Sequence, residues 1–176
     1  MNIKPTVLDF AILGLIQDNS LSGYAIRKMF EETALGSYSS SPGTIYPALK
    51  RLQKGGLVEK ISQIDSAKSS FKITQQGLLI LKSWFLKPIE KVDVEKKINE
   101  LLLRFGFMES LIDKQQRIHF LISFQEELIK YISELETYYK SEGFKMPLHG
   151  KLAFQYGIES NKTTLKWCKK SILQLT

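Results

Sequence analysis

The stretch from Ser40 to Leu57, SSPGTIYPALKRLQKGGL, decides how this chain folds. On a helix turning by about 100° per residue, Ile45, Ala48, Leu49 and Leu52 share one narrow sector. Gly43, Pro47, Lys50 and Lys54 fall opposite, flanked by Tyr46 and Arg51. The pattern predicts a short helix that buries an apolar stripe and keeps a basic, aromatic-bordered one. Such a helix can lie in a DNA groove while a small core holds its other side, or it can be an ordinary surface helix with solvated charges. Pro47 fits only near the helix start, and Gly55-Gly56 ends the helix by supplying left-handed conformations.

The neighbouring segments extend this into a domain. Val7, Leu8, Ala11, Ile12 and Leu15 predict a first helix over 6–17. Ser22 caps a second, with Ile26, Met29 and Phe30 inward, ending near Thr33. Leu35 to Gly43, rich in Ser and Gly, is the loop entering the third helix. Strands are expected at Leu57–Ile61 and Ser70–Ile73, where Phe71 and Ile73 alternate with polar residues. Thr74 caps a fourth helix carrying Leu78, Leu81 and Phe85. Three helices plus a β-hairpin make a winged helix-turn-helix, assigned to residues 1–87.

Residues 88–176 read as an α-helical region, so the chain as a whole is mainly α. Glu90–Lys97 alternates charge and suits an exposed linker or helix start. Ile98, Leu101, Leu102 and Phe105 predict a short apolar helix. Asp113 caps a long one, in which Ile118, Leu121, Gln125, Leu128, Ile132, Leu135 and Tyr139 keep a heptad rhythm. Gly143 and Pro147 break it. A last helix repeats the rhythm with Phe154, Ile158, Asn161, Leu165, Cys168, Ile172 and Leu175. These seams can pack on each other as a hairpin or also meet a second copy in a two-fold dimer. Gln125 and Asn161 are either a register-fixing buried amide pair or solvent-exposed at a loosened seam.

Bulk properties narrow the function. The chain of 176 residues carries a formal charge of +7, which favours an anionic partner. The charge is spread: residues 1–86 hold 10 Lys+Arg and 6 Asp+Glu, the remainder 15 and 12. Cys168 is the single cysteine, so no intrachain disulfide forms. The apolar run Val7–Ile16 is broken by Asp9 and lacks a signal-peptide cleavage site, and no segment reaches the ~18 apolar residues that span a bilayer. A soluble, cytoplasmic protein without a membrane partner is expected. No enzymatic activity, metal or cofactor is expected either. His119 and His149 have no Cys or carboxylate at ligand spacing, and neither a phosphate-binding glycine loop nor a nucleophile elbow is present.

The order LDFAILGLI, SGYAIRKMF, SPGTIYPALKRLQKGGLVEK and FKITQQG resembles the PadR family of transcriptional regulators over about 80 residues. The tail, with Trp167 in its last helix, looks like the C-terminal dimerisation part of the larger members. The resemblance implies a homodimeric, sequence-specific DNA-binding regulator, usually a repressor, released by a small hydrophobic or aromatic effector. One departure stands out: the expected wing tip, Ile64–Ser70, offers only Lys68, beside Asp65, where family wings often carry Arg and Gly.

Residue types and spacing then assign roles. Lys50 and Arg51 can reach base edges or the backbone of double-stranded DNA. Ser40, Ser41 and Thr44 suit a phosphate at the helix start, and Tyr46 can donate to phosphate or pack on sugar. Arg27 and Lys28 hold the backbone from the preceding helix, and Lys68 is the wing cation. Two heads on a two-fold axis predict a palindromic operator. The dimer interface is expected at Ile118, Leu121, Gln125, Leu128, Ile132, Leu135, Phe154, Ile158, Asn161 and Leu165. Trp84, Phe105, Tyr156 and Trp167 are candidates for effector contact or plain core aromatics. The competing reading is a dimeric winged-helix adaptor that docks proteins and has no DNA specificity.

Overall fold

The computed structural model describes residues 3–33, 35, 42–62 and 69–176, and at 42 and 62 the backbone alone. The chain forms two compact units, one from residues 1–85 with 106–111, the other from 86–105 with 112–176. Segment 106–111 therefore clusters with the first unit, although it lies beyond the division expected at 87/88. Local bonds hold it there: the Phe107 ring lies against Gly14, Gln17 Nε2 donates to the Phe107 carbonyl at 3.0 Å, and Ser110 Oγ donates to Asp18 at 2.6 Å.

The first unit is a winged helix-turn-helix. Helix α1 (Val7–Leu15) starts at a capping box in which Thr6 and Asp9 satisfy each other's backbone N–H groups. Strand β1 (Leu21–Ser22) leads directly into α2 (Gly23–Glu32), whose Ser22 cap accepts from the Ala25 N–H at 3.1 Å. Helix α3 (Pro42–Lys54) follows, then β2 (Val58–Ser62), β3 (Ser69–Ile73) and α4 (Gln75–Phe85). The antiparallel sheet has order β1-β3-β2, with Leu21 opposite Phe71 and Val58 opposite Ile73. Ile12, Leu13, Ile26, Phe30, Leu57, Leu81 and Phe85 fill the core with the apolar stripe of α3. At about 25 cal/mol per Å2 of apolar surface removed from water, these side chains supply most of the unit's cohesion.

Two sequence expectations change here, and one element is new. Strand β1 has no sequence signature, because two residues carry no period and only pairing with β3 defines it. Helix α3 begins two residues before Thr44, so Pro47 sits in its second turn instead of its first. Of the glycine pair that ends α3, Gly56 alone is left-handed, with φ +72°.

The second unit is helical throughout. Within Glu90–Lys97 the chain forms a true helix, α5 (Lys91–Lys96), started by a capping box between Glu90 and Asp93. Helix α6 (Ile98–Gly106) precedes α7 (Lys114–Glu142), which is capped by Asp113 accepting from the Gln116 N–H at 2.8 Å. A 3-10 turn at Gly143–Lys145 and Pro147 lead into α8 (Leu148–Leu175). Helices α7 and α8 form an antiparallel hairpin. Lys114 donates to the Thr176 carbonyl at one end, Glu136 pairs with Lys162, and Tyr139 stacks on Phe154 at the other.

The heptad positions meet within this hairpin. Leu121, Leu128, Ile132 and Ile158 are buried within the single chain, Leu121 and Leu128 completely. Ile118, Gln125, Leu135, Phe154, Asn161 and Leu165 stay partly accessible. Asn161 spends its Nδ2 on the Gly157 carbonyl of its own helix at 2.8 Å, while its Oδ1 is buried with no partner among the described residues. Phe120 and Phe124 are buried off the heptad seam. They serve a second packing face, where Phe105 lies 6.2 Å from Phe120 and the Arg104 guanidinium lies over the Phe120 ring. Burial lowers the Arg104 pKa to about 10, against the pull of Asp93 and Glu100.

Candidate nucleic-acid interface

The site is built on α3. Ile45, Ala48, Leu49 and Leu52 are each at most 1% exposed, so one face of the helix is locked into the first unit. Gly43, Thr44, Tyr46, Pro47, Lys50 and Lys54 are all exposed on the rest of its circumference. No described carboxylate lies within ion-pair range of Lys50 or Lys54. Two cations and a phenol thus share one helical face, at a spacing that can follow a groove.

Helix α2 supports that face from the side. The Tyr46 ring lies over Gly23, the first residue of α2, so closely that a Cβ at Gly23 would stand 2.8 Å from Cε1. Beside it opens a cleft of about 510 Å3 lined by Ser22, Gly23, Tyr24, Tyr46, Lys60, Ser69 and Phe71. Tyr24 and Lys60 had no sequence signal for this surface. Tyr24 comes from the first turn of α2, which packs on α3, and the Lys60–Phe71 pairing in the sheet brings Lys60. A cation and two exposed phenols beside the start of α2 suit a phosphate oxygen and the sugar next to it.

The other expected contacts are placed unevenly. Arg27 pairs with Glu31 at 3.5 Å and lies over the Tyr24 ring, and Lys28 pairs with Glu32 at 3.6 Å. Both α2 cations therefore carry an acidic neighbour on their own helix. Arg51 is redirected altogether: its Nη2 and Nε bind the two carboxylate oxygens of Asp9 at 2.6 and 3.3 Å. That ion pair joins a fully buried carboxylate to a guanidinium whose side chain stays 41% exposed at the edge of the α3 face. Ser40, Ser41 and Lys68 lie outside the described residues.

The aromatic candidates do not gather. Trp84 is buried in the first unit, stacked on Phe10 at 4.4 Å with a 2° interplanar angle. Phe105 and Trp167 meet edge to face at 5.5 Å in the second unit. Tyr156 projects from α8 with 76% of its surface exposed. Cys168 is buried and its thiol is pushed up to about 12 by burial, as an inert core residue requires.

Residues 12–83, the span from α1 through α4, match the model of the transcriptional regulator PadR-like family. Over that span the chain is similar to the PadR-like transcriptional regulators. The PadR-like head has the elements described above, with the exposed face of α3 inside the matched span. Similarity to the negative transcriptional regulator PadR of Bacillus subtilis runs further, at 27% identity over 96% of this chain and 97% of that protein. Two solved structures of Bacillus subtilis PadR are similar as well. One is in complex with operator DNA, at 27% identity over 97% of this chain and all of that one, with a TM-score of 0.43. The other is in complex with p-coumaric acid, at 26% identity over 97% and 99%, again with a TM-score of 0.43. Superposition at that level sets no geometry for this chain, and the likeness rests on the sequence match. No described helix is long and apolar enough to cross a membrane.

Proposed function

We propose that this PadR-like regulator is a homodimeric repressor that binds a palindromic operator and loses affinity for it when a small hydrophobic or aromatic effector binds. It acts by binding, without catalysing a reaction, in the cytoplasm, with residues 1–87 as its DNA-binding part and 88–176 as its dimerisation and effector part. The observation that carries this reading is the division of α3 into a locked apolar stripe and an exposed face bearing Tyr46, Lys50 and Lys54, within the PadR-like span. Lys50, Tyr46, Thr44, Arg27 and Lys28 are the proposed DNA contacts, joined by Tyr24 and Lys60. Ser40, Ser41 and Lys68 are proposed from sequence alone.

Self-association is proposed through the partly accessible seam positions of α7 and α8, where Ile122 and Ile129 add exposed apolar surface. At about 1.5 Å per residue, the 29 residues of α7 span about 43 Å, enough to space two heads one DNA turn, ~34 Å, apart. For the effector, Phe105 and Trp167 are retained because they touch. Trp84 and Tyr156 are released from that role, the first by its stack in the head and the second by its exposure.

Salt titration of duplex binding tests the reading. A regulator with six or more phosphate contacts loses affinity with a log–log slope of about −0.9 per contact, and a bound effector lowers operator affinity without unfolding the protein. A protein-docking adaptor would show neither a steep slope nor a preferred sequence.

A further inference from the structure

Asp9 is fully buried in the first turn of α1, where a lone carboxylate would be costly. Its oxygens are fully engaged. Oδ2 accepts from the Thr6 N–H at 2.8 Å, from Thr6 Oγ1 at 2.9 Å and from Arg51 Nε at 3.3 Å, while Oδ1 accepts from Arg51 Nη2 at 2.6 Å. The same carboxylate therefore starts one helix and grips the last turn of another through a two-nitrogen fork. A second anchor lies just beyond. Ile3 rests on Gly55, where a Cβ would stand 2.6 Å from its Cδ1.

We infer that Arg51 is a positioning residue: the Asp9–Arg51 pair fixes the rotation and axial setting of α3, so that the exposed face meets DNA in one register. This rests on the DNA-binding function proposed above. The apolar stripe of α3 holds the helix against the core, but packing among Ile45, Ala48, Leu49 and Leu52 is non-directional and opposes a small roll weakly. A charge-assisted fork is directional in both angle and distance. Lys50 directly precedes Arg51, about 100° around the helix, so fixing Arg51 fixes where Lys50 points. A guanidinium used this way contributes to specificity through α3 and neutralises no phosphate.

The test uses the full-length protein, one duplex selected by it from a random pool and one random duplex, across a salt series. Four forms are compared: wild type, Asp9→Asn, Arg51→Gln and the double variant. The expected result is that Arg51→Gln keeps the wild-type salt slope on random duplex but lowers the selected-to-random affinity ratio by about tenfold, as one misread base step does. Asp9→Asn lowers the ratio similarly, and the double variant is no worse than either single one. Circular dichroism at the assay temperature establishes that each form is folded. Should Arg51→Gln unfold, Arg51→Lys replaces it, since lysine keeps a phosphate contact but cannot make the fork. A lowered ratio at unchanged slope then supports the positioning role. A slope shallower by about 0.9 with the ratio intact for Arg51→Gln, or an unchanged ratio for Arg51→Lys, overturns it while leaving the DNA-binding function standing. A wild type that enriches no sequence from the pool overturns both.

Discussion

The Tyr46 ring covers the Cα of Gly23, leaving no room for a side chain at the first residue of α2. This contact joins the two helices of the helix-turn-helix at the edge of the exposed α3 face, where a DNA backbone would pass. Gly23→Ala must push the ring outward, and an exposed ring can move at small cost. Stability should change by less than about 1 kcal/mol, while affinity for a selected duplex falls about tenfold. Urea denaturation and gel shift on one preparation check the pair of outcomes. Unaltered affinity would mean that the Tyr46 ring takes no part in binding.

Lys50 and Arg27 separate two kinds of contact. Lys50→Ala should cost about 1–3 kcal/mol on the preferred sequence and relax preference at one operator position. Arg27→Ala should weaken all sequences alike, and only modestly, because Glu31 already shares its charge. Competition binding against single-base operator variants gives both profiles. A uniform loss from Lys50→Ala would make it a backbone contact.

Asp93 gives the second unit a pH dependence. Burial acts to raise its pKa, but the Glu90 N–H and Lys97 outweigh it and hold the carboxyl below its ordinary value. A depressed carboxylate stabilises the fold above its unfolded pKa, and that contribution is lost as pH falls through the folded pKa. Asp93→Asn should therefore cost about 1 kcal/mol at pH 7, and less as the medium becomes strongly acidic. Thermal melts of both forms across pH measure this. A penalty independent of pH would show that the cap acts through shape alone.

Cys168 should be silent to thiol reagents in the native state. It is fully buried, and burial pushes its thiol up to about 12, so at pH 8 almost no thiolate exists. A chromogenic disulfide reagent should register one thiol per chain only after denaturant is added. Rapid labelling without denaturant would require α8 to open from α7.

The contrasts between expectation and structure have a physical pattern. Helices α3, α7 and α8 are legible because each repeats its apolar period over several turns, and local caps at Ser22, Thr74 and Asp113 mark the starts of α2, α4 and α7. What escaped depends on long-range partners. Arg51 looked like any cation on a helix face until folding brought it to Asp9, 42 residues earlier. Lys60 reaches the α3 face through sheet pairing, and Tyr24 through the packing of α2 on α3. Phe120 and Phe124 lie off the heptad seam because α7 has two packing faces, and a single period describes just one of them.

Selection of bound duplexes from a random pool by the full-length protein tests the central claim most directly. The account predicts enrichment of an inverted repeat whose half-sites are centred about one helical turn, ~34 Å, apart, with enrichment lost in Lys50→Ala. A pool that emerges without any shared sequence, from protein that is folded and dimeric, would contradict it.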